Sequence, residues 1–301
     1  MENIARVTDH LDAHRRAGRT RRETLALIHT VSGDAWLEEE GECWRMYRFV
    51  AGARSIQFAT KPEDVREAAA AFGEFTRLLS DYRGPAVHET IAGFHDTRSR
   101  LARFQGAVRR DASRRASSAR VEVDAALGNV ELAEVLPPFI ESGEVPVRIA
   151  HNDAKLANVL FDDATLAARC VVDLDTVMPG SLLFDFGDMV RSMTTATDEA
   201  EPDLSRVGVR IPFFEAVAAG FIAEVRGILT PRERTLLVHA GALITLEQAI
   251  RFLTDYLEGD RYYRVADPDQ NLRRARTQLH HLETLIAAQD ELEEIVARFA
   301  G

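Results

Sequence analysis

The sequence predicts an α+β protein in two unequal parts, a short strand-containing segment over residues 1–50 and a large, mainly helical domain over 51–301. Three observations carry this prediction. Two strand-like runs, 24–30 (TLALIHT) and 43–50 (CWRMYRFV), fall before residue 50. Beyond it, apolar residues recur at helical spacing in one segment after another. The strand-like stretches past residue 50 are short, and they flank a single polar segment, 151–158.

Residues 1 to about 17 read as a helix, with Ile4, Val7 and Leu11 on one face. The two runs then pair as a hairpin across a polar stretch containing Gly33 and Gly41. A helix and a hairpin are too little to stand as a domain. Thr60-Lys-Pro-Glu63 has the pattern of a capping box with proline near the first turn. It leads into a core-facing helix carrying Val65, Ala68, Ala69, Phe72, Phe75 and Leu79. The arginine-rich stretch 98–120 reads as a solvated helical face rather than a phosphate-binding patch. Short strands are expected at 145–150, 159–161 and 169–172. Two helices follow, 213–225 and one that starts at a second capping box, Thr230-Pro-Arg-Glu233, and closes near Gly259. The tail, 270–299, is helical.

A chain of 301 residues, 46% hydrophobic and 28% charged, suits one large domain or two unequal ones. Its N-terminus lacks the apolar core of a signal peptide, and no uncharged apolar run approaches the roughly 18 residues of a membrane span. A cytoplasmic location is expected. Cys43 and Cys170 are too few for a disulfide framework or a cysteine zinc cluster, and both are expected to be buried. A net charge of −11 argues against nucleic-acid and anionic-membrane partners and mildly favours cationic or neutral substrates. Of 37 basic residues, Lys61 and Lys155 alone are lysine, which makes the position of Lys155 informative.

Residues 151–158, HNDAKLAN, fit the pattern H-x-D-x-x-x-x-N of a phosphoryl-transfer loop. Such transfer needs a carboxylate to accept the proton of the attacking hydroxyl and a neutral oxygen nearby to hold magnesium. Asp153 and Asn158 suit these roles. The hairpin predicted next returns a second carboxylate, Asp173 in VVDLDT, as the other metal ligand. A literal Asp-Phe-Gly stands at Asp185-Phe186-Gly187, but it follows a loop rather than the hairpin strand, so Asp185 is expected to bond backbone and tie that loop down. Lys155 lies where a cation reaches a transferred phosphoryl group; the alternative is an exposed loop lysine. His151 is expected to shape the loop through a structural hydrogen bond.

With these residues in view, the chain resembles the aminoglycoside phosphotransferase superfamily and, within it, the N-acetylhexosamine 1-kinases. The matching stretches are HNDAKLANVLFD (151–162), VVDLDTVMPGSLLFDFGDMVR (171–191) and RFLTDYLEGDRYY (251–263), with weaker echoes at 43–55 and 93–101. The resemblance implies a protein-kinase-like bilobal fold, ATP and Mg2+ as cofactors, and transfer of the γ-phosphate to the anomeric hydroxyl of an N-acetylhexosamine. It places the base at Asp153 with Lys155 beside it, and the metal ligands at Asn158 and Asp173. It makes Met46, Tyr47 and Phe49 similar to the hinge against which adenine lies, and Arg251 and Tyr262 similar to sugar-contacting positions. Arg251 could equally pair with Asp255 one turn away, and Trp44 could serve core packing or a nucleotide wall.

Relatives of this kind carry a nucleotide-gripping loop and a strand lysine before the first helix, whereas this sequence begins at that helix. The N-lobe is therefore expected to be truncated by roughly three strands. Either the native start lies upstream, or this is a shortened homologue with impaired catalysis. The first is favoured, because missing strands would leave the hairpin edges and the apolar face of the first helix uncovered. Three functions follow: a sugar 1-kinase, an aminoglycoside or other small-alcohol kinase, and a non-catalytic binding protein with a kinase-like pocket.

Overall fold

The computed structural model describes residues 1–301. Helix α1 (Glu2–Arg16) forms where Ile4, Val7 and Leu11 recur at helical spacing, and all three are buried. They share a core with Leu25, Phe75, Leu78, Leu79, Cys170 and Leu174. The apolar face of α1, which missing strands would have left uncovered, is thus covered by the body of the protein.

The two apolar runs lie antiparallel as expected, though only loosely. Leu27 faces Tyr47, with bonds from the Ile28 N–H to the Met46 carbonyl and from the Arg48 N–H to the Ala26 carbonyl, both 2.8 Å. The regular ladder sits in the stretch read as a polar connection: β1 (Leu37–Glu39) pairs with β2 (Glu42–Trp44). Its two-residue turn, Glu40 and Gly41, has φ of 53° and 81°, the handedness that matches strand twist. Cys43 lies on exposed β2, contrary to expectation, whereas Cys170 is buried, its thiol pushed up to about 12 by burial.

Helix α2 (Pro62–Leu79) buries the face predicted for it. Its N-cap is Lys61, without a side-chain bond, so the first capping box does not form. Pro62 at the first turn removes one N–H that would need a partner. α2 crosses α7 (Ile211–Val225) closely, where a Cβ on Gly220 would stand 2.3 Å from the Arg66 carbonyl oxygen. The arginine-rich stretch splits into α3 (Thr97–Arg110) and α4 (Arg120–Leu127), and its side chains meet acids: Arg98 with Glu134 at 2.6 Å, Arg103 with Glu258 at 2.6 Å. Those pairs make it an ion-paired surface.

After α5 (Pro137–Glu141), β4 (Arg148–Ala150) pairs with β7 (Met178–Gly180). β5 (Val159–Asp162) and β6 (Ala168–Val171) form the predicted hairpin, extended by β3 (Ala53–Ser55), whose three residues carry no alternation to mark a strand. α6 (Leu182–Met193) packs on α8 (Pro231–Glu258), the 28-residue rod of the body. The Thr230–Glu233 capping box closes α8 at one end and Gly259, at φ 91°, at the other. An 18-residue window of α8 has a mean hydropathy of 1.4, enough to cross a membrane by composition, but 83% of that window is buried in the fold. The tail is two helices, α9 (Gln270–Ala287) and α10 (Gln289–Ala300), broken at Ala288.

His281 on α9 is buried, and burial lowers its pKa to about 4. A histidine held neutral in the fold contributes stability above its unfolded pKa of about 6.5 and loses it as pH falls towards 4, on the order of 3 kcal/mol over the window. Urea unfolding between pH 7 and pH 4 should show that loss, and His281→Gln should flatten it.

Candidate active site

The segment 151–158 turns between β4 and β5, and its shape is fixed from three sides. Asp185, fully buried at the start of α6, accepts the N–H groups of His151 at 3.0 Å and Asn152 at 2.7 Å, one on each carboxyl oxygen. The literal Asp-Phe-Gly therefore anchors the loop, as its place after a loop suggested. The ring of His151 donates from Nε2 to the Val172 carbonyl at 3.0 Å and packs edge-on against Phe72. Asn152, at φ 63°, donates to the carbonyls of Thr176 at 3.0 Å and Ala150 at 3.2 Å. Opposite it, a Cβ on Gly180 would fall 2.4 Å from the Asn152 side-chain oxygen, so glycine is required there.

This frame brings Asp153, Lys155 and Asn158 into direct contact. The Lys155 ammonium lies 2.6 Å from Asp153 Oδ2, and the Asn158 amide donates to the same oxygen at 2.9 Å and to the Asp153 carbonyl at 2.9 Å. Burial pushes the Asp153 carboxyl up, but the charge and hydrogen bond of Lys155, with His151 and Asn158, hold it below its ordinary range. A carboxylate held in that range is ionised at neutral pH and able to accept a proton. Burial likewise pulls Lys155 down, and Asp153, Asp188 and Asp173 together hold it above the usual lysine range.

The hairpin delivers Asp173 to the same place. The Val172 N–H donates to the Asn158 carbonyl at 2.9 Å, so Asp173 emerges one residue from a bond to the loop. Its backbone is left-handed (φ 61°, ψ 59°), a conformation aspartate tolerates better than most side chains. Asp173 is exposed and enters no ion pair, whereas Asp175 takes both guanidinium nitrogens of Arg45 at 2.5 and 2.6 Å. The Asn158 amide nitrogen is spent on Asp153, which leaves its oxygen. With the Asp173 carboxylate this makes an all-oxygen pair of the kind a hard divalent cation takes, so the residues fit Mg2+.

Of Met46, Tyr47 and Phe49, Tyr47 lies near Asp173 and Asp175. Burial raises Tyr47, as do the nearby Asp175 and Asp173 charges, so the segment overlooks Asp173. Met46 and Phe49 are 63% and 85% exposed, and Trp44 at 62% is not core. At the Leu27–Tyr47 bridge the bonds run through the neighbouring residues, so the N–H and C=O of Tyr47 point away from the partner strand.

Arg251 and Tyr262 line one cavity of about 200 Å3 with Phe94, Arg100, Arg103 and Tyr263. Arg251 bonds Gln248 at 3.0 Å and not Asp255, whose carboxylate is taken by the N–H groups of residues 261–263 and by Asn271. Next to Phe94, His95 reaches the Asn152 carbonyl at 3.2 Å and Glu247 of α8 at 2.9 Å, linking cavity wall to loop.

Sequence reasoning missed two groups. Buried Arg191, with Asp188 at 2.7 Å and Glu199 at 3.2 Å, puts an ion pair behind Lys155; its signal was the i, i+3 spacing on α6. His95 and Glu247 are 152 residues apart and left no local signal.

Solved structures share this fold. An aminoglycoside phosphotransferase from Alicyclobacillus acidocaldarius superposes with a TM-score of 0.60 at 13% identity, over 99% of this chain and 84% of that one. A microcompartment-associated aminopropanol kinase gives 0.52 at 14%, over 97% and 82%. A spectinomycin phosphotransferase in complex with ADP and spectinomycin gives 0.52 at 12%, over 95% and 82%. The fold is thus the kinase-like, α+β bilobal one, with small sheets and a mainly helical body. The model of the phosphotransferase enzyme family matches residues 1–208, which takes in the hairpin, the loop around Asp153 and the whole of α6, and the chain belongs to that family.

Proposed function

We propose that this protein transfers the γ-phosphate of ATP to a hydroxyl of a small polyol, an N-acetylhexosamine at its anomeric position. The observation that carries the reading is the contact set of Asp153, Lys155 and Asn158 with Asp173 emerging beside it. Asp153 accepts the proton of the attacking hydroxyl, whose oxygen bonds the γ-phosphorus as the bond from that phosphorus to the β,γ-bridging oxygen breaks and ADP leaves. Lys155 lies against that carboxylate and offers its charge to the phosphoryl oxygens. Asn158 and Asp173 would hold Mg2+, which when bound neutralises triphosphate charge. Met46, Tyr47 and Phe49 supply the surface for adenine.

The cavity supports a sugar over an aminoglycoside. Arg103 is paired with Glu258, Arg100 lies 3.5 Å from Glu247 and the Asp255 carboxylate is occupied by backbone N–H groups, so Arg251 is the cation left to face an acceptor; beside the aromatic faces it suits hydroxyl and amide groups and disfavours a polycation. The neighbours that act on aminoglycosides and aminopropanol support the second reading, a kinase of another small alcohol. The test is ATP with Mg2+ and a panel of N-acetylhexosamines, aminoglycosides and amino alcohols, read as phosphorylated product. Product with a hexosamine alone is expected; product with a cationic acceptor alone would overturn the sugar assignment.

A further inference from the structure

Away from the loop around Asp153, α1 and the end of α2 bring together three groups that the phosphotransfer reading does not use. His10 and His14 stand at i and i+4 on α1, and Asp81 follows α2 by two residues. The Nε2 atoms of the two rings are 3.2 Å apart, and each lies close to Asp81 Oδ1, at 2.9 Å from His10 and 3.0 Å from His14.

As hydrogen bonds these contacts cannot all be satisfied. Each Nε2 carries at most one proton when the ring is neutral. Two protons would have to serve Oδ1 twice, the ring-to-ring contact, and the Leu78 carbonyl, 3.0 Å from His10 Nε2. Around a cation the same triangle is consistent. Donors about 2.1 Å from one ion stand roughly 3.0 Å apart in octahedral and 3.4 Å apart in tetrahedral coordination, which brackets or nearly meets each observed spacing. The three atoms also come from two elements packed on each other, and their side chains range from nearly buried His14 (7% exposed) to accessible Asp81 (53%), leaving an open side for the ion and water.

We propose that His10, His14 and Asp81 form a binding site for a divalent transition-metal ion of borderline softness, with Zn2+ as its best fit. Two imidazoles and one carboxylate favour such an ion over Mg2+ or Ca2+, which take oxygen donors. The accessible Asp81 carboxylate supplies the negative charge of the set. One neighbour competes. Arg19 places Nη1 3.4 Å from His14 Nδ1 and 3.7 Å from Asp81 Oδ2, and a bound ion would turn this exposed side chain outward. The ion would join α1 to α2, fastening residues 1–50 to the helical body through a link independent of catalysis.

The experiment is titration of the full chain with zinc chloride by calorimetry, with thermal unfolding and the absorption of the Co2+-loaded protein as further readouts. One ion per chain is expected, with a rise in Tm of about 5 °C at a hundredfold excess over Kd, and a d–d band whose intensity reports the geometry. His14→Ala and His10→Gln should each weaken binding at least about tenfold, the lower end of what even an outer-shell partner contributes to metal affinity. Arg19→Ala should bind more tightly, since a competing charge is removed. If His14→Ala unfolds, His10→Gln and Arg19→Ala decide the matter between them. No uptake, or uptake unchanged by the His10 and His14 substitutions, would overturn the site.

Discussion

Asp153→Asn is expected to lower kcat about 1,000-fold, within the range that removing a general base costs, while KM for ATP stays close to wild type. Asparagine keeps the shape of the side chain and the bond from Asn158, so the loop is retained and only proton acceptance is lost. Lys155 would lose the partner 2.6 Å away and turn towards Asp188 and Asp173, whose charges it already senses. Steady-state kinetics with whichever acceptor the panel yields, beside a urea melt showing unchanged stability, make the check. Wild-type turnover from the variant would remove Asp153 from the chemistry.

Asp185→Ala is expected to cost stability on the order of 2–6 kcal/mol, from two buried N–H groups left without partners at about 1–3 kcal/mol each. A whole domain has roughly 5–15 kcal/mol, so the variant should melt far below wild type and lose activity along with its loop. Burial drives this carboxyl above its ordinary pKa against the pull of His151 and the two N–H groups, which marks an anchor in a dry setting. A metal ligand would behave otherwise, with turnover lost and rescued by extra Mg2+ at unchanged stability. Asp185→Asn should fall between, because an amide accepts one N–H and opposes the other. Denaturant melts of the three proteins at one pH decide.

Much of this was legible in the amino-acid sequence where a local rule governs. The spacing of Asp153 and Asn158, the hairpin to Asp173 and the Thr230 box are set within a few residues, and each forms as read. The reading of Asp185 as an anchor rested on its place in the chain, and the bonds to residues 151 and 152 bear it out. What the sequence hid depends on distant partners. The Thr60 box failed because the helix begins one residue later than the pattern implied, with Lys61 in the N-cap position and no side-chain bond there. The strands moved because Glu40 and Gly41 form a tight left-handed turn that periodicity does not register. Arg251 turned to Gln248 because Asp255 had been claimed by a loop further along.

Glu247 grips His95, which touches the loop, and Arg251 faces the arginine-lined cavity one turn later on the same α8. The helical rise fixes their axial offset at about 6 Å. The tie to the loop and the cavity wall thus share one rigid rod, so a substitution at Arg251 should alter the wall without shifting the point at which Glu247 holds His95.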